Sequence, residues 1–183
     1  MATLSKASVY TVAPTDSFFF DTNIWMLLFA PIANVNYHRQ NVYGTLLRNI
    51  QNSNAKIKIN SLVVSEFINA YLKLSFKLWQ DASGNYSTEY KKDFKGTEEY
   101  LEAVEEAKDN IKAILGITQK IADGFISVNL DKIISDIIDR DFNDAYYIEM
   151  CKINKLKLVT DDSDLLSSTD DIEIITERKL YKH

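Results

Sequence analysis

The sequence predicts an α/β fold, a three-layer sandwich with a central parallel sheet flanked by helices. The first observation is alternation. Short apolar runs at Phe18–Phe20, Lys56–Ile59, Lys157–Val159 and Ile172–Ile175 are separated by longer stretches of helical periodicity. Strands joined through helices lie parallel, with both sheet faces covered. The second is composition: 46% of the 183 residues are apolar, enough for one sizeable core and too many for a disordered chain. The third is that acidic residues stand after or near apolar runs, at Asp21, Glu66, Asp144 and Asp161 to Asp164. Ligands of open α/β sheets gather beyond the carboxyl ends of the strands.

One domain is expected to span 1–183. Residues 1–16, with Pro14 near their end, lack apolar periodicity and read as a partly ordered N-terminal lead-in. Phe18–Phe20 is a short buried strand, and Asp21-Thr22-Asn23 a strand-to-helix junction, because all three residues cap helices well. Ile24–Phe29 forms a short helix that stops near Pro31. Tyr37–Gln51 is a helix with Val42, Leu46 and Ile50 on one face. Lys56–Ile59 alternates as a strand with one face less buried. Asn60 or Ser61 caps the next helix, which runs to about Leu78 on a stripe of Val63, Phe67 and Leu74, widened by Ile68, Tyr71 and Leu72.

Residues 80–96 lose that periodicity. Gly84, Asn85, Ser87 and Gly96 sit among Tyr and Lys residues, and the segment reads as a loop or arm within the domain. A long helix is expected over Thr97–Ile121, with Leu101, Val104, Ile111 and Leu115 as its apolar stripe. Asp123-Gly124 is a turn and Phe125–Val128 a short extended segment. Leu130–Ile138 and Phe142–Lys155 are helices, then come the strands at 157–159 and 172–175 and a basic tail.

Lys plus Arg number 21 and Asp plus Glu 26, a net charge of −5. An acidic chain binds nucleic acid only through local positive charge, from basic patches or a bound cation. The single cysteine, Cys151, excludes an intrachain disulfide and fits a reducing compartment. It steps with Ala145 and Ile148, which marks it as core rather than nucleophile. No secretory leader opens the chain and no apolar run is long enough to span a bilayer, so a cytoplasmic protein without a membrane partner is expected. His38 and His183 are the only histidines, which leaves a Ser-His-Asp triad or a His/Cys zinc site little support. Five scattered glycines form no phosphate loop. Trp25 and Trp79 read as packing residues at element ends.

The acids carry the chemistry. A carboxylate at the end of a buried strand is costly unless paired, and several that converge repel one another unless a hard cation sits among them. Asp21 and Asp162 lie just past strand ends, Asp144 in a first helical turn where the dipole favours an anion, and Glu66 in the first turns of its helix. Four acids so delivered suit Mg²⁺ or Mn²⁺. Such a cation activates water and stabilises charge on phosphoryl oxygens.

Phe20-Asp21-Thr22-Asn23-Ile24, Ser65-Glu66-Phe67, Asn143-Asp144-Ala145 and Leu158-Val159-Thr160-Asp161-Asp162-Ser163-Asp164 resemble, in order and rough spacing, the four motifs of the PIN-domain ribonucleases. The likeness covers about 18–176. It implies a parallel sheet sandwiched by helices and metal-dependent endoribonuclease activity on RNA, commonly single-stranded, with a 5′-phosphate product. It assigns catalysis to Asp21, Glu66, Asp144 and Asp162, metal binding to these four and Asp164, and supporting roles to Asn23, Thr160 and Asp141. Many prokaryotic members are toxins held by a small antitoxin, so the resemblance implies an RNA substrate and raises an antitoxin and a homodimer as partners. The chain departs from compact toxin members in the enlarged stretch between Leu78 and Ile121, and in Leu165 where an aromatic often follows the last acid.

Plainer readings stand beside these. Asp21 alone serves as a helix cap as readily as a ligand, Glu66 alone as an exposed helical acid, and Asp141 as a cap before a ligand. One of Asp161, Asp162 and Asp164 is expected to be merely solvated, and Asp161 is the choice. Lys91, Lys92 and Lys95 lie near Tyr86, Tyr90 and Phe94, a mixture that suits single-stranded nucleic acid, though a solvated loop with a few anchoring rings is the plainer and preferred reading. The competing function is a catalytically silent PIN-like module that binds RNA or protein.

Overall fold

Six short strands and seven α-helices alternate along the computed structural model, which describes residues 2–30, 36–168 and 170–179. They are β1 (Thr3–Lys6), β2 (Ser17–Phe20), α1 (Thr22–Phe29), α2 (Tyr37–Asn52), β3 (Lys56–Ile59), α3 (Ser61–Ser83), α4 (Glu98–Gly116), β4 (Gln119–Lys120), α5 (Leu130–Asp136), α6 (Phe142–Asn154), β5 (Lys157–Val159), α7 (Ser163–Leu166) and β6 (Glu173–Thr176). The strands form one sheet in the order β1-β6-β5-β2-β3-β4, and every pair is parallel. This is the expected three-layer α/β sandwich. Among the described residues no helix is long and apolar enough to cross a membrane.

β2 is the centre of the core. Phe18, Phe19 and Phe20 are fully buried, and their alternating directions supply both faces of the sheet. Phe19 lies 5.1 Å from the Tyr147 ring on α6, whereas Phe20 lies 5.0 Å from Trp25 on α1. Consecutive side chains of a strand point to opposite faces, so α1 and α6 pack on opposite sides of the sheet. Burial of Trp25, Ala145, Ile148 and Cys151 follows the packing expected for them. The chain leaves β2 toward β3 on one side, while β5 pairs on its other side. The sheet order therefore reverses between β2 and β5, and their carboxyl ends open one crevice.

Several elements differ from the sequence-based expectation. The lead-in contains β1, paired along its length with β6, and its Tyr10 packs 6.0 Å from Phe18. Lys157 anchors it further, with Nζ 2.9 Å from Asp16 and 3.1 Å from Glu173. β1 is mostly exposed and lies on the sheet edge, which is why no apolar pattern announces it. α3 continues to Ser83, beyond Leu78, and ends on Gly84 in the left-handed conformation. Residues 90–94 form one π-helical turn, not a free arm, because Phe94 is buried against Phe76 and Trp79 at 5.4 and 5.5 Å.

The long helix stops at Gly116, and Gln119–Lys120 pairs with β3 as an edge strand. The buried face of α4 is Ala103, Ala107, Ile111 and Ile114, while Leu101 is exposed. Small alanines allow α4 to pack closely, so the seam lies beside the stripe that the larger residues suggest. Phe125–Val128 is turn rather than strand, with the Ser127 and Val128 amides bonded to the Gly124 carbonyl. α5 ends at Asp136. Pro31 and the end of the basic tail, residues 180–183, lie outside the described residues.

Candidate metal centre

β2 and β5 run side by side with Phe20 opposite Val159, and the Asp21 amide donates to the Val159 carbonyl at 3.0 Å. The register sets Asp21 beside Thr160 at the mouth of the crevice. Asp21 occupies the N-cap position of α1, yet its side chain makes no cap bond. Its Oδ2 instead accepts from Asn23 Nδ2 at 2.6 Å and from the Thr160 hydroxyl at 2.6 Å. Asn23 Nδ2 also reaches Thr160 Oγ1 at 3.1 Å, and the Asp162 amide donates to that same oxygen at 2.9 Å. Asn23 and Thr160 thus bind the first acid to the loop that carries the last ones.

Glu66 comes from the second turn of α3, where Asn60 supplies the cap by accepting from the Val63 amide at 3.1 Å. Its two oxygens are held by three donors: the Thr22 hydroxyl at 2.8 Å, the Asn143 side-chain amide and the Tyr147 hydroxyl. A carboxylate restrained from α1 and α6 at once has its orientation fixed. Asp141 caps α6 by accepting from the Asp144 amide at 2.9 Å, which sets Asp144 in the first turn. Asp162 caps the short α7 by accepting from the Asp164 amide at 2.9 Å. Carboxylate oxygens of Asp144, Asp162 and Asp164 lie within 4.8 Å of one another.

Electrostatics joins these groups into one site. Asp21 is pushed up to about 6 by burial, opposed by the Thr160 hydrogen bond and reinforced by the charges of Glu66 and Asp162. Asp144 is pushed up to about 7, first by burial and then by Asp141, Asp21, Asp162 and Glu66. Among the described residues no lysine, arginine or histidine makes a salt bridge with Asp21, Glu66, Asp144, Asp162 or Asp164. The donor set is all oxygen, anionic and without an internal counter-charge. That chemistry fits a hard divalent cation.

Asp161 is not merely solvated. It turns away from its neighbours into a pocket of donors, where Oδ1 accepts from the Tyr43 hydroxyl, from Thr176 Oγ1 at 2.9 Å and from the Glu177 amide at 3.2 Å. Arg39 lies 3.5 Å from its Oδ2. Burial, then Asp161, pushes the Tyr43 hydroxyl upward, so it stays a donor. The sequence offers no local signal for this, since Tyr43, Thr176 and Arg39 come from remote elements. Tyr147 and Asn143 were equally hidden as partners of Glu66, although Asn143 directly precedes Asp144.

Lys91, Lys92 and Lys95 are exposed, and Lys92 pairs with Glu89 at 2.6 Å. Their segment rests on Phe76 and Trp79 of α3. At about 1.5 Å of rise per residue, those rings lie roughly 15–20 Å along the helix from Glu66. His38 is exposed, with its ring 3.9 Å from the Glu177 carboxylate.

A crystal structure of PAE2754 from Pyrobaculum aerophilum is similar to this chain at 18% identity and a TM-score of 0.44, covering 92% of this chain and 90% of that one. No curated protein matches the chain significantly in sequence. The family model for the PIN domain matches residues 18–171. That stretch opens on β2 and carries Asp21, Glu66, Asp144, Asp162 and Asp164 with the elements that deliver them. Its proteins are in general nucleases that use divalent metals, and this chain belongs to the PIN-domain family.

Proposed function

We propose that the chain is a metal-dependent endoribonuclease that hydrolyses phosphodiester bonds of single-stranded RNA. The observation that carries this reading is the meeting of carboxylates from four separate segments in one crevice, with no lysine, arginine or histidine paired to them among the described residues. Asp21, Glu66, Asp144 and Asp162 would hold Mg²⁺ or Mn²⁺, directly or through water, with Asp164 at the rim. A divalent cation held there would lower the pKa of a water and neutralise charge that develops on the phosphoryl oxygens.

The protein's own groups do the positioning. Asn23 and Thr160 both donate to Asp21 Oδ2 and leave Oδ1 without a side-chain donor. Thr22, Asn143 and Tyr147 fix Glu66 so that its charge does not swing away when the strand enters. Burial, then Glu66, pushes the Tyr147 hydroxyl upward, and it remains a donor throughout the neutral range. Lys91, Lys92 and Lys95 would touch only a strand that extends well beyond the cleaved bond. A cytoplasmic setting, an antitoxin partner and a homodimer are further expectations of this reading.

The test compares cleavage of a labelled single-stranded RNA by wild type and Asp21→Asn, each with Mn²⁺ and with EDTA. The reading expects activity only in wild type with metal, at least about 10²-fold above the variant. Equal activity with EDTA or in the variant rejects it. A folded wild type that binds RNA and never turns over, in any of several divalent metals, establishes the silent binding module instead.

A further inference from the structure

Beside the acids lies an open groove of about 380 Å³, lined by Asn23, Leu27, Arg39, Asp161, Asp162 and Arg178 among others. It shares Asp162 and Asn23 with the metal centre but differs from it in charge. Two guanidinium groups face the space, one from α2 and one from the segment after β6. Both are held by the same residue. Arg39 pairs with Asp161 Oδ2 at 3.5 Å, and Arg178 Nη1 donates to the Asp161 carbonyl oxygen at 2.9 Å.

That residue is specialised as an anchor. The Asp161 side chain is only 11% exposed, and its Oδ1 is consumed by Tyr43, Thr176 and the Glu177 amide. Its charge is turned inward, while Arg178 is exposed and the Arg39 side chain is 37% exposed. An arginine carries five donors in a planar fork, and each of these spends only part of its fork on Asp161. The remaining donors have the geometry for phosphate oxygens. An anionic strand approaching a cluster of carboxylates needs such a counter-charge within reach, because the chain as a whole is negative.

We infer that Arg39 and Arg178 form a phosphate-binding subsite, which holds a backbone phosphodiester of single-stranded RNA flanking the bond to be cleaved. The inference rests on the ribonuclease reading for the identity of the strand. In it, Asp161 has a different task from Asp162 and Asp164: it presents two cations at the edge of the acid cluster. The 159–164 segment therefore recognises the substrate with one side of the loop and supports the chemistry with the other.

The experiment measures binding of a fluorescein-labelled oligouridylate by anisotropy, in EDTA and over a range of salt, together with Mn²⁺-dependent cleavage of the same strand. Wild type is compared with Arg178→Gln, Arg39→Gln and a Lys91→Gln/Lys92→Gln/Lys95→Gln variant. Each arginine variant is expected to bind roughly three- to tenfold more weakly, with a log–log salt slope shallower by about 0.7 for each phosphate no longer neutralised. Cleavage should show a raised KM with kcat largely kept, and the triple lysine variant should change least.

Arg178→Gln is decisive, since Arg178 is exposed and its bond within the fold is to a backbone carbonyl, so the fold does not depend on it. Should Arg39→Gln fail to fold, Arg178→Gln still decides. If wild type cleaves RNA and a folded Arg178→Gln matches it in affinity, slope and KM, the subsite is wrong and the ribonuclease reading stands. If wild type neither binds nor cleaves the strand, both fall.

Discussion

A carboxylate that accepts two side-chain hydrogen bonds on one oxygen ordinarily ionises easily, yet Asp21 is pushed up to about 6. Burial outweighs the donors, and the neighbouring acids add to it. The residue is therefore under electrostatic strain that a cation bound there would relieve, as the ligand role proposed for it requires and a plain helix cap does not. The prediction at this scale follows from removing the charge. In EDTA at pH 8, Asp21→Asn should be more stable than wild type by on the order of 1 kcal/mol, or roughly 2–4 °C in Tm for a chain of this size. Calorimetry of the two proteins checks it. A variant less stable than wild type would mean that Asp21 is a structural anchor, not a strained ligand.

At the scale of elements, what was legible depended on whether the signal lay within one segment. The β2–α1 junction was readable because a buried triplet runs straight into capping residues, and α6 because Ala145, Ile148 and Cys151 step along it, although the helix is buried on every side from Ala145 to Cys151. β1 and β4 were not, since an exposed edge strand of two to four residues is defined by backbone bonds to a partner far along the chain. The four acids were readable as candidates from their positions after apolar runs. The restraint of Glu66 by Tyr147, Asn143 and Thr22, and the burial of Asp161 among Tyr43 and Thr176, were not, because each is a tertiary contact.

Segment 80–96 is loop over 84–89, but its π-helical turn at 90–94 gives no sign of itself in the sequence, for a similar reason. Its polar and glycine content hides one aromatic anchor, Phe94, whose ring meets Phe76, Trp79, Tyr90 and Tyr100. Phe94→Ala should cost about 3–5 kcal/mol in urea unfolding, the range for an aromatic removed from a packed core. A loss under roughly 0.5 kcal/mol, ordinary for surface positions, would show that the segment is not held by this cluster.

For the molecule as a whole, the site acids set how stability responds to pH. In the fold Asp21 and Asp144 keep their protons to about 6 and about 7, against roughly 3.9 in an unfolded chain. Between those limits the folded state binds more protons than the unfolded one. The stability of cation-free protein therefore falls as pH rises from about 4 to about 7. Asp16 and Asp170 run the other way. Burial raises each, but bonds from Lys157 to the first, and from Lys152 and Lys132 to the second, hold it below the ordinary range. Their contribution is present at neutral pH and is lost only in stronger acid. Differential scanning calorimetry in EDTA should give a lower Tm at pH 8 than at pH 5, and Mn²⁺ should raise Tm more at pH 8. An unchanged Tm across that range, with or without the metal, would contradict the electrostatic account.

The most direct measurement is anomalous scattering from a crystal soaked in Mn²⁺ at pH 8. The account predicts a peak in the crevice between β2 and β5, within about 2.0–2.3 Å of carboxylate oxygens from at least two of Asp21, Asp144 and Asp162. Well-ordered acids with no peak among them, at a concentration that loads Mn²⁺ elsewhere on the protein, would contradict it.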